Sequence, residues 1–360
     1  MTWFHWLFAV SILLPIPWFA QQTSPAAAPA RQSSAAGGRD VTIDVVVTDK
    51  SGTPIRGLQQ QDFTLLDDKQ SQILTSFRAV DLDAGTPAPP IEIVLVVDAI
   101  NADPLKTDHE REGIKEFLQM NGGKLAQPVS LVVLSDSGPK SLHGASTDGN
   151  ALATLLDQNP TGLRTINQSQ GIYGVLERFQ MSMKALNSLT AYEASTPGRK
   201  LVIWVSPGWP LLSTAPSDVT TKDQQHIFNS VVEASTRMRL GHITLYNVET
   251  RGVAETSISQ FSYYEQFLKG VKSPAQAYPA DLSLQVLAVQ TGGLVLNKSN
   301  DLPDAIAAEI AKGAMDARSF YVLSFQAPSA DRANEFHALE VKLGKPGLSA
   351  RTRTGYYAQP

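Results

Sequence analysis

Three polar residues follow directly on an apolar run: in IEIVLVVDAINADP, Asp98, Asn101 and Asp103 come just after residues 91–97. Side-chain oxygens at that spacing can ligate a hard cation such as Mg²⁺ or Ca²⁺. They can equally recognise a protein partner, or bond the backbone N–H groups of their own turn. Two further segments end the same way. Residues 129–134 run into Ser135-Asp136-Ser137-Gly138, and residues 201–205 run into Ser206-Pro207-Gly208-Trp209. A tryptophan on a short Pro/Gly loop can anchor an interface, or it can pack onto the floor of its own loop. The candidate binding lip is therefore Asp98, Asn101, Asp103, Asp136, Ser206 and Trp209. The candidate metal set within it is Asp98, Asp103 and Asp136.

Other chemistries lack their residues. The chain has no cysteine, which excludes disulfides, thiolate catalysis and cysteine-bound zinc. His5, His109, His143, His226, His242 and His337 show no His-Glu-x-x-His spacing. There is no Gly-x-Ser-x-Gly elbow and no Gly-x-Gly-x-x-Gly after the first buried strand. Asn121-Gly122-Gly123-Lys124 is not followed by Ser or Thr, so it is not a phosphate loop. The acidic pair Asp67-Asp68 falls in a turn signal and is expected to be solvated. The expectation is a protein that is not an enzyme. The alternative of another class is a hydrolase without recognisable motifs. A net charge of −4 argues against nucleic acid as a partner.

The elements that would position the lip follow from periodicity. Residues 91–97, 129–134 and 201–205 are apolar runs, the pattern of strands buried on both faces, and residues 243–248 read as a further strand. Helical patterns separate them: from Thr107 with Glu110 at capping-box spacing, from Asp148, over 170–189, over 218–240, over 281–290 and over 302–315. Alternating strands and helices predict a doubly wound, mostly parallel sheet over residues 90–316. The lip then falls at the carboxyl ends of the strands, where such sheets bind ligands. Residues 250–278 hold Phe261, Tyr263, Tyr264 and Phe267 close together, as a partner surface or as a lid over their own core.

The two ends of the chain read differently. Residues 1–20 are apolar and aromatic and resemble a secretory signal peptide; uncut, this segment would be the only tie to a membrane. Residues 21–38 are rich in Ala, Pro, Ser and Gln, a flexible tether. Residues 39–82 and 318–357 alternate as strands, and a single small β unit is marginal alone. The economical solution is one small β-sandwich built from both ends. The expected location is exported: periplasmic, cell-envelope or extracellular.

In order and spacing, VVVTDKSGTPIRGL, DFTLLDD, VVDAIN, GRKLVIWVSPGWP, TGGLVLNKSNDLPDAI, YVLSFQAP and GYY resemble the von Willebrand factor A-related proteins of the acidobacterial type. The resemblance spans residues 41–357. It implies a von Willebrand A-like α/β body, export, and protein binding in adhesion or scaffolding rather than catalysis. In that family a metal-ion-dependent adhesion site uses Asp-x-Ser-x-Ser after the first strand, then a Thr and a later Asp. Asp98 matches the first Asp. Ile100 and Ala102 stand at the two Ser positions, Gln170 (beside Ser169) at the Thr, and Pro207 (after Ser206) at the later Asp. The resemblance thus implies a degenerate metal site and no cofactor. The alternative is a divergent, Asp98-centred Mg²⁺ or Ca²⁺ site that captures an acidic group of a protein partner.

Overall fold

The computed structural model describes residues 40–85, 89–102, 107–159, 171–210, 219–251, 264–296 and 302–360. The signal-peptide and tether readings lie outside them, as do Asp103, Gln170, Ser169, Phe261 and Tyr263. The described residues belong to one compact unit. Among them, no helix is long and apolar enough to cross a membrane.

The head of the chain gives β1 (Asp40–Thr48), β2 (Phe63–Asp67), β3 (Gln70–Gln72) and β4 (Leu74–Asp81). The body follows as β5 (Ile91–Asp98), α1 (Thr107–Gln119), β6 (Lys124–Ser135), β7 (Gly138–Asp148), α2 (Gly149–Gln158), α3 (Gly171–Ala194), β8 (Arg199–Val205), α4 (Thr221–Leu240), β9 (Ile243–Val248), α5 (Leu284–Gln290), β10 (Val295–Leu296) and α6 (Pro303–Met315). The tail gives β11 (Ser319–Gln326), β12 (Glu335–Leu343), β13 (Ser349–Arg351) and β14 (Gly355–Ala358).

The body sheet has the order β10-β9-β8-β5-β6-β7, parallel except for the antiparallel edge strand β7. The chain starts in the middle, at β5, winds outward to β7, then returns to β8 on the other side. Strand order therefore reverses between β5 and β8. The continuous apolar runs are explained by burial on both faces. Ile93, Leu95 and Val97 of β5 pack with Ile114, Phe117, Leu152, Ile306 and Ile310 of α1, α2 and α6. Val94 and Val96 face Leu186, Leu189, Met238 and Leu287 of α3, α4 and α5.

Local signals start and stop these helices. Asp148 caps α2 by accepting from the Ala151 N–H at 3.0 Å. Thr220 and Asp223 form a capping box at the start of α4, which ends at Gly241 with Arg237 and Arg239 in its last turn, where cations suit the dipole. The helix expected over 281–290 is shorter than its pattern. Residues Pro279–Leu282 form a 3₁₀ turn, and Ser283 then caps α5.

The ends of the chain interleave. One four-stranded sheet has the order β13-β1-β11-β4 and the other β14-β12-β2-β3, so each mixes head and tail strands. Val41, Ile43, Val45, Phe63, Leu65, Tyr321, Leu323, Phe325 and Tyr356 fill the space between them. This is the sandwich expected from the two marginal halves. Phe336 and Tyr357 carry it onto α4 at Phe228 and Val232. The Asp67-Asp68 pair departs from expectation. Asp68 is exposed, but Asp67 is 2% exposed, because tail strands β12 and β14 cover it.

Candidate functional site

In doubly wound sheets ligands bind outside the carboxyl ends of the strands where strand order reverses. Here that place lies between the ends of β5 and β8, and Asp98 and Ser206 occupy it. Asp98 is fully buried. Its Oδ1 accepts from the backbone N–H groups of Ile100 at 3.1 Å and Asn101 at 3.0 Å. Its Oδ2 accepts from Asn101 Nδ2 at 2.8 Å, Trp204 Nε1 at 2.9 Å and Ser206 Oγ at 2.9 Å. An ionised carboxylate offers about four lone-pair sites. The chain's own donors therefore use its whole capacity.

The surrounding residues extend this network. Asn101 Nδ2 also donates to Ser182 Oγ at 2.9 Å, and that hydroxyl donates to the Arg178 carbonyl one turn earlier in α3 at 2.8 Å. Ser206 Oγ accepts from the Gly208 N–H at 3.1 Å. Asn247 of β9 donates from Nδ2 to the carbonyls of Trp204 and Ser206. Trp209 packs edge-on to Trp204 with ring centroids 5.2 Å apart. Gly208 permits that fold-over. Its φ is +87°, and a Cβ there would sit 2.0 Å from Gln285 Nε2. Among the described residues, Asn101 Oδ1 and Trp209 Nε1 are buried without a hydrogen-bond partner.

Asp98, Asn101, Ser206 and Trp209 are thus brought together, but as an interior cluster. All four are buried, so their side chains do not line an open lip. Asp98 caps its own turn and Trp209 packs on its own floor. Asp136 is half-buried at the β6–β7 turn, and Asp103 lies outside the described residues.

The donor set at Asp98 does not fit the hard cation that a metal-dependent adhesion site would hold. Such an ion needs free oxygens on several residues. Asp98 has no spare lone pair, while Ile100 and Ala102 are buried apolar residues. Pro207 has no side-chain oxygen. A metal ion at Asp98 would have to displace donors that the chain itself supplies.

Sequence reasoning missed Trp204, Ser182 and Asn247. Trp204 carried a usable signal, since a tryptophan in a fully buried strand needs an acceptor for its indole N–H. Ser182 sits mid-helix, and nothing local marks it. In the aromatic stretch, Tyr264 and Phe267 are half-buried, and Phe267 meets the Tyr278 ring edge-on at 6.3 Å.

A second polar cluster was not anticipated. In the sandwich, His337 Nδ1 lies 2.9 Å from Asp67 Oδ1, and the Tyr356 hydroxyl donates to Asp67 Oδ2 at 2.7 Å. Burial, then the hydrogen bond to Asp67 and the charges of Asp67 and Asp68, push the Tyr356 phenol well above its ordinary range. It therefore stays neutral and donates.

No protein-family profile matches the sequence, and no curated protein is significantly similar to it. Solved structures similar to the chain include the conserved hypothetical protein BatB from Bacteroides thetaiotaomicron. That pair is 15% identical with a TM-score of 0.31, covering 62% of this chain and 98% of BatB. The pilus adhesin SpaC from Lactobacillus rhamnosus GG is 10% identical with a TM-score of 0.38, covering 83% of this chain and 49% of the adhesin. The VWA domain of SpRpn10 is 8% identical with a TM-score of 0.29, covering 63% of this chain and 95% of that domain.

Proposed function

We propose that the chain is an exported, non-catalytic protein-interaction module for adhesion or scaffolding, and that it binds its partner without a metal ion at the carboxyl edge of its sheet. The observation that carries this reading is the Asp98 carboxylate, buried and filled by five donors from its own chain. Such a network makes the ends of β5 and β8 a rigid base rather than an ion-binding cup. Contact with a partner then falls to what stands above that base.

Helix α3 supplies such a feature. It runs from the carboxyl edge towards the amino edge, where β8 begins. Its Ser182 is level with Asn101. At about 1.5 Å per residue, Tyr173 lies about 13 Å further along the helix axis, beyond the sheet. Tyr173 is 79% exposed and Leu176 38%. Exposed aromatics of this kind anchor interfaces. The partner is a protein offering an apolar pocket, neither nucleic acid nor membrane. Export rests on the leader-like residues 1–20 and the tether that follows.

A photo-crosslinking residue placed at position 173, with one at Ile73 as control, tests the reading in the exporting cell. Ile73 is also exposed but lies on the sandwich. An adduct to one envelope protein from position 173, formed in EDTA and absent from position 73, is expected. Adducts that require added Mg²⁺ would overturn it.

A further inference from the structure

The β14-β12-β2-β3 sheet gathers three metal-ligating side chains from opposite ends of the chain. Asp67 ends β2, and Asp68 opens the turn into β3, with φ of +45° at Asp68 and +70° at Lys69. His337 lies on β12, 270 residues away in sequence. One ligand atom from each of Asp67, Asp68 and His337 lies within 4.8 Å of the other two. We propose that these three residues form a site for a divalent transition-metal ion of the Zn²⁺ class, separate from Asp98.

The distances suit such an ion. Donors about 2.0–2.2 Å from one tetrahedral centre lie about 3.3–3.6 Å apart. His337 Nδ1 is 2.9 Å from Asp67 Oδ1 and 3.8 Å from Asp68 Oδ2, which brackets that spacing. Unlike Asp98, these carboxylates have capacity left. Among the described residues, Asp67 accepts from His337 Nδ1 and the Tyr356 hydroxyl only, and Asp68 Oδ1 accepts from the Ala338 N–H at 3.1 Å. Among the described residues, neither is paired with a lysine or arginine. His337 is 7% exposed, and among the described residues its Nε2 bonds nothing. When the ion takes Nδ1, the ring's proton moves to Nε2 and breaks no existing bond there.

The donor types choose the ion. An imidazole with two carboxylates favours Zn²⁺, Co²⁺ or Ni²⁺ over Mg²⁺. Asp68 is half-exposed on its side chain, so water can complete the coordination from outside. The ion would tie the head hairpin to the tail strand and close the sandwich.

The test is titration calorimetry of the full mature chain, without an affinity tag, against Zn²⁺, with Co²⁺ absorption as a second readout of nitrogen and oxygen ligation. One ion per chain is expected. Asp68→Asn keeps the turn, since Asn tolerates positive φ, and should weaken binding about tenfold or more. His337→Gln should abolish the Co²⁺ spectrum, and Asp98→Asn should leave Zn²⁺ binding intact. Absence of binding at micromolar Zn²⁺, or equal affinity in the Asp68 and His337 variants, would overturn the proposal.

Discussion

Asp98 ends β5 and Asp67 ends β2, and both carboxylates are almost completely buried. Around Asp98, one strand end, its own turn and the neighbouring strand supply five donors. Around Asp67, a histidine and a tyrosine supply two. The same residue type in the same kind of place is a closed structural knot in one region and an under-filled ligand in the other. What separates them is how many donors the fold delivers. Residue type alone does not decide it.

Removing the closed knot should cost most. Asp98→Ala leaves Trp204 Nε1, Ser206 Oγ, Asn101 Nδ2 and two backbone N–H groups to find other acceptors. Each orphaned buried group costs about 1–3 kcal/mol. A loss of about 4 kcal/mol or more in urea unfolding is the expected result. A loss below about 1 kcal/mol, the scale of a surface substitution, would show that the knot is not closed.

A third buried carboxylate sharpens the contrast. Asp281 accepts one described bond, from the Tyr278 N–H at 2.8 Å. Burial outweighs that bond and pushes its acid up to about 7. The folded state therefore keeps a proton that the unfolded chain releases near pH 4. Stability should fall as pH rises through that window and level off above about pH 7. Between pH 5 and 7 this one group should cost about 2 kcal/mol. Asp281→Asn should flatten that part of the profile, and an unchanged slope in the variant would contradict the assignment.

The smallest of these effects tests a single donor. Trp204→Phe removes one N–H from Asp98 and keeps most of the ring packing. Hydrogen bonds to charged groups contribute about 1.5–3 kcal/mol. Since four donors remain, the expected loss is at the lower end of that range, read from the same unfolding curves.

The pattern of strands was legible because both faces of the body sheet are buried, which leaves unbroken apolar runs such as residues 201–205. The sandwich was legible for a different reason. Neither end of the chain holds enough strands to bury its own alternating face, so the two had to meet. The site was less legible. The place of Asp98 followed from topology, and its backbone-capping role was one of those open to it. Whether its oxygens were free depended on Trp204 and Ser206, more than 100 residues away. Local reading made Asp67 a solvated turn residue because Asp67-Asp68-Lys69 reads as a turn. His337 and Tyr356, which bury it, arrive from the other end of the chain.

Thermal melting in EDTA and in millimolar Mg²⁺ or Ca²⁺ tests the central claim most directly, in an Asp68→Asn background that weakens the sandwich cluster. An ion bound at about a hundred times its Kd adds roughly 2.7 kcal/mol to the folded state, which moves the midpoint of a chain this size by several degrees. The account predicts the same midpoint with either ion as in EDTA. A rise of several degrees that disappears on adding Asp98→Asn would contradict it, because the carboxylate would then have a lone pair to give.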